Sequence, residues 1–229
     1  MLGYKPIESH SKKDIDECYA KYLLEELFPN RYQDLAVEDK PDLRDYINDR
    51  GIEVTSSMPK GFRESLKFSD RLDYLNPTSH TAKFYKKIIL DSGVRDKNSM
   101  LIWPHINYSN NRFVKTSYFN NIVSIFVDKV NKLNSGGYSN YSNNDLFIKT
   151  IFLYDDVICQ ELLNNFYNNN TGNIKFSFVY VLGIKKLCSF DLRSNNYSVK
   201  TVENDTEVYK KAYTLAKTGD YNGEVNKIN

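Results

Sequence analysis

The sequence predicts an α/β or α+β fold, in which a mixed sheet is flanked by helices. Helix and strand patterns alternate along the chain, two long segments repeat apolar residues at helical spacing, and the C-terminal half is rich in β-branched and aromatic runs. With 229 residues, 41% of them hydrophobic, the chain can bury a sizeable core. We therefore expect one domain over residues 1–229, with residues 58–114 inserted between its core elements.

The N-terminal part supplies one helix and several short strands. Residues 14–28 carry an apolar stripe at helical spacing, which ends at Pro29. Residues 32–46 alternate enough for one or two short strands. The segment 51–57 is a clearer strand, because apolar and polar residues alternate along it and Glu53 is among the polar ones.

The rest of the chain alternates helices with strands. A second amphipathic helix begins at Thr116 or Ser117 and ends before Gly136. The segments after it predict, in order, a buried strand (145–154), a helix (156–167), three strands (174–183, 185–194 and 196–202) and a last helix (203–217).

Charge and cysteine content exclude several classes of protein. The net charge of +2 excludes a strongly basic, histone-like binder, so nucleic acid would be contacted through a local patch. The three cysteines, Cys18, Cys159 and Cys188, are too few for a disulfide scaffold and indicate a reducing compartment. Neither a signal peptide nor an apolar run of about 20 residues occurs, so we expect a cytoplasmic protein without a membrane partner.

Several motifs of common enzymes are missing from the sequence. It contains no GxGxxG and no GxxxxGK[ST], so we expect no nucleotide cofactor, and no GxSxG of a hydrolase elbow. The three histidines, His10, His80 and His105, lie far apart and lack the spacing of a zinc site.

Acidic residues in apolar surroundings form the candidate site. Glu53 stands in the middle of an apolar strand, where a buried carboxylate needs a cation, a hydrogen-bond network or an edge position. Asp42 follows Pro41 at a distance compatible with a hairpin, and Glu26 falls on the core-facing stripe of the first helix. If these carboxylates meet, their oxygens would suit Mg²⁺.

Each carboxylate also has a purely structural explanation. Asp42 is a common turn residue after proline, and Glu53 fits a salt-bridged edge strand. Glu26 fits a helix end whose partner is Arg31. The order of the elements favours the joint interpretation over three separate ones.

The motif order resembles that of the PD-(D/E)xK nuclease superfamily, which has the restriction-endonuclease-like fold. A helix with Glu26, then Pro41-Asp42, then a strand with Glu53, then a helix and a strand match its pattern over residues 14–57 and 115–154. The resemblance implies an αβββαβ core, elaborated by the C-terminal strands. It also implies that Glu26, Asp42 and Glu53 hold one or two Mg²⁺ or Mn²⁺ ions, which activate water for attack on DNA phosphate.

One position departs from the family pattern. The residue two places after the strand glutamate is lysine in the family and Thr55 here, on the same face as Glu53. That lysine orients the nucleophile or neutralises developing charge. Three residues could replace it: Lys60 just beyond the strand, Lys115 before the stripe of the second helix, and Lys129 at the edge of that stripe.

The sequence therefore leads to a first hypothesis, a Mg²⁺-dependent nuclease that hydrolyses DNA phosphodiester bonds. Asp42, Glu53 and either Lys60 or Lys115 would be its catalytic residues, and a homodimer would suit double-strand cleavage. Two alternatives stay open. The chain is a degenerate, non-catalytic nuclease fold that binds protein or nucleic acid, for example in phage defence, or it is an unrelated α+β protein whose acids never meet.

Overall fold

The structure is a computed structural model that describes residues 15–57, 78–80, 83, 112–136, 141–150 and 155–219. The chain divides into two compact units, one made of residues 1–8 and 58–116 and the other of residues 9–57 and 117–229. Nearly all of the predicted insertion, residues 58–114, lies outside the described residues.

The described residues form four helices and seven strands. In chain order these are α1 (Ile15–Leu27), β1 (Ala36–Val37), β2 (Leu43–Asp45), β3 (Arg50–Ser56), α2 (Arg112–Asn134), β4 (Asn143–Lys149), α3 (Asp156–Asn169), β5 (Phe176–Leu182), β6 (Lys186–Asp191), β7 (Asn196–Thr201) and α4 (Asp205–Thr218). The predicted elements outside the insertion agree with these in type and order. The strand predicted over 145–154 ends at Lys149, and residues 151–154 lie outside the described part.

The seven strands form one mixed sheet whose spatial order follows the chain, from β1 to β7. The strands β1, β2 and β3 pair antiparallel, β4 and β5 continue the sheet parallel to β3, and β6 and β7 return to antiparallel pairing. The parallel joins need crossovers, which α2 and α3 supply. The prediction of a mixed sheet flanked by helices is therefore confirmed.

Helices cover both faces of this sheet. On one face, Lys149 of β4 binds Asp16 of α1 at 2.5 Å, and α4 packs against α1. On the other face, Glu53 of β3 binds Lys129 of α2. Glu53 is paired with Leu146, and paired residues point to the same face of the sheet. Leu146 and Lys149 are three residues apart on β4, so Glu53 and Lys149 point to opposite faces. The layers are therefore α1 with α4, the sheet, and α2 with α3.

Aromatic side chains fill the layer between the sheet and the second pair of helices. Phe126 of α2 and Phe166 of α3 pack with ring centroids 4.6 Å apart, and Phe166 meets Phe190 of β6 edge-on at 5.1 Å. These rings are fully buried. The contacts fix α2 over the sheet, so the polar edge of its stripe lies above β3.

Two further observations concern residues discussed above. No helix in the described ranges is both long and apolar enough to cross a membrane. Cys18, Cys159 and Cys188 are buried, and none of these three described cysteines forms a disulfide bond.

Candidate active site

Asp42 is fixed against strand β3 just before β2 begins. Its Oδ2 accepts a hydrogen bond from the Val54 backbone N–H at 2.7 Å. The preceding Pro41 is buried and packs on Gly51, where a Cβ would lie 3.0 Å from the proline ring and 2.7 Å from the ring of Tyr141. Glycine at position 51 thus allows this close approach, and the carboxylate of Asp42 is held beside the middle of β3.

Glu53 lies in the middle of β3 and is only 8% exposed. Its Oε1 accepts a 2.5 Å salt bridge from Lys129 Nζ, and Lys132 Nζ lies 3.8 Å from the same oxygen. The two lysines are one turn apart on α2, which packs over this face. The structural alternative for Glu53 is therefore right about a salt bridge and wrong about an edge strand, because β3 pairs with both β2 and β4.

Asp42 and Glu53 interact electrostatically. Burial, and next the negative charge of Glu53, raise the pKa of Asp42 to about 6, while the Val54 N–H, Lys129 and Lys132 act in the opposite direction. Two carboxylates and two ammonium groups therefore form one charged cluster between the sheet and α2. The raised pKa of Asp42 shows that burial and the Glu53 charge together outweigh the Val54 N–H and the two lysines at this carboxyl group.

Thr55 lies on the same face of β3 as Glu53, two residues further along the strand. An ammonium group reaches Glu53 from α2 instead, that of Lys129. Of the other candidates, Lys60 lies outside the described residues, and Lys115 lies on α2 with its side chain outside them. Lys129 is therefore the candidate that the structure brings to the carboxylates.

Glu26 does not join this cluster, and its predicted position on the core-facing stripe is wrong. Its side chain is exposed and accepts a hydrogen bond from Asn204 Nδ2 at 3.1 Å. Helix α1 packs against the sheet and also against α4, so its buried face is broader than one stripe and is centred away from Glu26. It is the neighbouring Glu25 that is half-buried, where it accepts from Lys21 and from the Leu35 N–H.

The alternative partner suggested for Glu26 also lies elsewhere. Arg31 Nη1 donates to the Tyr180 hydroxyl at 2.8 Å, and its guanidinium lies 3.7 Å from the centre of the Phe178 ring. Arg31 thus belongs to the layer of α1, on the opposite face of the sheet from Glu53.

The remaining pair of carboxylates fits Mg²⁺ chemistry. Mg²⁺ commonly takes one or two protein carboxylates and fills its octahedron with water and substrate phosphate oxygens. Among the described residues no group of three or more His, Cys, Asp or Glu side chains could hold a metal ion, so a complete protein cage is not formed there. Asp42 and Glu53 are the two described carboxylates that could hold such an ion together with water and a phosphate.

Lys132 is a site residue that sequence reasoning did not single out. It follows Lys129 by one turn and is 48% exposed at its side chain, so it reaches Glu53 while its ammonium stays in contact with solvent. The available signal was a pair of lysines at i and i+3 beside the apolar stripe of α2.

We expect Asp42→Asn to raise the stability of the metal-free protein at neutral pH. The raised pKa means that Asp42 stabilises the fold when protonated, fully below about pH 4, and that this contribution is lost as the pH rises through about 6. Asparagine keeps an oxygen for the Val54 N–H but carries no charge. Urea unfolding in EDTA should show equal stability near pH 4 and a gain of about 1–2 kcal/mol for the variant at pH 7.5.

The same pair of proteins provides the test of this assignment. If Asp42→Asn is no more stable than the parent protein at pH 7.5, ionisation of Asp42 does not destabilise the folded protein. Glu161→Asn is a suitable control, because Glu161 is exposed on α3.

Comparisons were made with protein-family models, with curated proteins and with solved structures, and none of them matches this chain.

Proposed function

We propose that the protein is a Mg²⁺-dependent nuclease that hydrolyses DNA phosphodiester bonds. The observation that carries the proposal is the convergence of Asp42, Glu53 and Lys129 from the loop before β2, from β3 and from α2. Two carboxylates and an ammonium group are the residue types that phosphodiester hydrolysis with a metal ion requires.

The topology supports the proposal independently of the side chains. The chain runs through α1, an antiparallel β1–β2–β3 meander, the crossover α2 and a parallel β4, with helices on both faces. This is the αβββαβ order that the resemblance to the PD-(D/E)xK superfamily implies. Asp42, just before β2, and Glu53, in the middle of β3, are the two acids that the resemblance assigns to the metal ion in this part of the chain.

The chemistry divides among the residues as follows. A divalent ion, when bound, would supply Lewis acidity and lower the pKa of a coordinated water. Asp42 and Glu53 would hold that ion, and the Val54 N–H keeps the Asp42 carboxylate oriented by donating to its Oδ2. The Lys129 ammonium, which lies close to Glu53, would neutralise charge that develops on the phosphate or orient the attacking water.

The direct test is cleavage of supercoiled plasmid in the presence of Mg²⁺ or Mn²⁺. The parent protein should nick or linearise the plasmid, EDTA should stop the reaction, and Glu53→Gln should lower the rate by about 100-fold or more. Glu161→Gln, which makes the same chemical change at an exposed position on α3, should cleave at the parental rate.

Two outcomes would contradict the proposal. Equal cleavage by the parent and Glu53→Gln would remove Glu53 from the reaction and point to a contaminating activity. No cleavage, together with no Mn²⁺ binding in a calorimetric titration, would favour the non-catalytic binding module.

A further inference from the structure

The shortest ion pair of the proposed site joins Glu53 to Lys129. In the proposed reaction Glu53 would bind the metal ion and Lys129 would act on the phosphate or the water, so the two groups would have to separate. Glu53 Oε1 accepts Lys129 Nζ at 2.5 Å, and Lys132 Nζ stands 3.8 Å from the same oxygen. A metal ligand of the reaction is thus occupied by the ammonium group that should act on phosphate or water.

Burial explains why this pair forms. Glu53 is 8% exposed in an interior strand, and a buried carboxylate is costly unless a cation accompanies it. Lys129 extends from the edge of the apolar stripe of α2, so its alkyl chain is covered while the ammonium reaches the carboxylate. The lysine therefore supplies the positive charge that the carboxylate requires when no ion is bound.

From this geometry we infer that Lys129 is the resting counterion of Glu53 and that a divalent cation binds by displacing its ammonium group. The inference rests on the proposed function, because it concerns loading of the same metal site. Lysine and metal compete for one carboxylate, and the displaced ammonium becomes available to a phosphate or a water only once the ion is in place. The exchange would keep the lysine out of its catalytic position until the metal is bound.

The two lysines should differ in their effect on metal binding. Lys129 makes the short contact and is largely covered, whereas Lys132 is further away and half exposed, so solvent screens its charge. Removing the Lys129 charge should strengthen Mn²⁺ binding about tenfold or more, and removing the Lys132 charge should strengthen it only a few-fold.

The experiment is a titration of the full-length protein with Mn²⁺, followed by the electron paramagnetic resonance signal of free Mn²⁺, with no DNA present. The variants are Lys129→Met, Lys129→Gln and Lys132→Met, with Glu53→Gln as the variant that lacks the ligand. Lys129→Gln keeps a hydrogen-bond donor toward Glu53 without the charge, so it tests the inference even if the methionine variant fails to fold.

Tighter Mn²⁺ binding by both Lys129 variants, with the Lys132 variant between them and the parent, would support the inference. Equal or weaker binding by the Lys129 variants would overturn it; the proposed metal site would stand if Glu53→Gln abolished the binding seen in the parent. No Mn²⁺ binding by any of the proteins would overturn both.

Discussion

Lys129→Met is expected to lower the rate of plasmid cleavage by about 100–1,000-fold at saturating Mg²⁺, which is the usual cost of removing one charge-stabilising group from such a site. The loss should appear in the rate constant, because the lysine acts on the reacting groups and not as a metal ligand. Initial nicking rates measured over a range of Mg²⁺ concentrations separate the two effects.

The combination of results is what makes this prediction specific. The same substitution should weaken catalysis and strengthen metal binding, whereas a merely misfolded variant would lose both. Lys175→Met, at an exposed position before β5, should cleave at the parental rate. Parental cleavage by Lys129→Met would show that another cation performs the role, and Lys132 would be the first to examine.

Arg50→Met is expected to destabilise the fold by about 3–5 kcal/mol, the usual cost of breaking a buried ion pair from one side. Arg50 Nη1 binds Asp145 Oδ2 at 2.7 Å, and Asp145 is only 1% exposed. The Tyr32 hydroxyl donates to the same oxygen at 2.7 Å, and the Phe178 N–H donates to Oδ1 at 3.0 Å. Without the guanidinium, the carboxylate would stay buried with neutral donors alone.

Urea unfolding at pH 7.5 measures this effect. Burial raises the pKa of Asp145, so the variant should take up a proton there and lose less stability as the pH is lowered. Adding Asp145→Asn to Arg50→Met should restore part of the loss, because asparagine removes the unpaired charge and keeps an acceptor for Tyr32 or Phe178. A loss below about 1 kcal/mol in the single variant would mean that the pair contributes little.

Asp42 and Glu53 could be identified as candidate site residues from the sequence, because the alternation of apolar and polar residues along a strand is a local pattern. Glu53 interrupts an apolar strand, and Asp42 follows a proline one loop upstream, so both could be found without knowledge of the tertiary structure. Their electrostatic interaction follows from the antiparallel pairing of β2 with β3, which a hairpin of this length favours.

The position of Glu26 could not be predicted in the same way. A helical stripe indicates one buried face, but α1 packs against both the sheet and α4, and the second contact is a property of the distant C-terminal segment. The face of α1 that stays exposed is therefore decided by a helix that begins at Asp205.

The choice among the lysines also depends on packing. The sequence favours Lys60 or Lys115 as the catalytic lysine and names Lys129 as a third candidate. The packing of α2 on the sheet through Phe126 brings Lys129 to Glu53, whereas the side chains of Lys60 and Lys115 lie outside the described residues. The pair formed by Arg50 and Asp145 was missed altogether, although Asp145 at the start of an apolar strand gives the same kind of signal as Glu53.

The sequential order of the sheet bears on how the molecule folds. The hairpins of β5, β6 and β7 close through short turns, and β4 joins β5 across a single helix. Among the described neighbouring strands, β3 and β4 are the pair separated by the most residues in the sequence. Pairing them closes a longer loop than any of the other strand pairs, so it has the larger entropic cost. We expect the C-terminal hairpins to assemble early in refolding and the strand bearing Glu53 to dock late, so catalytic competence would be acquired at the final stage of folding.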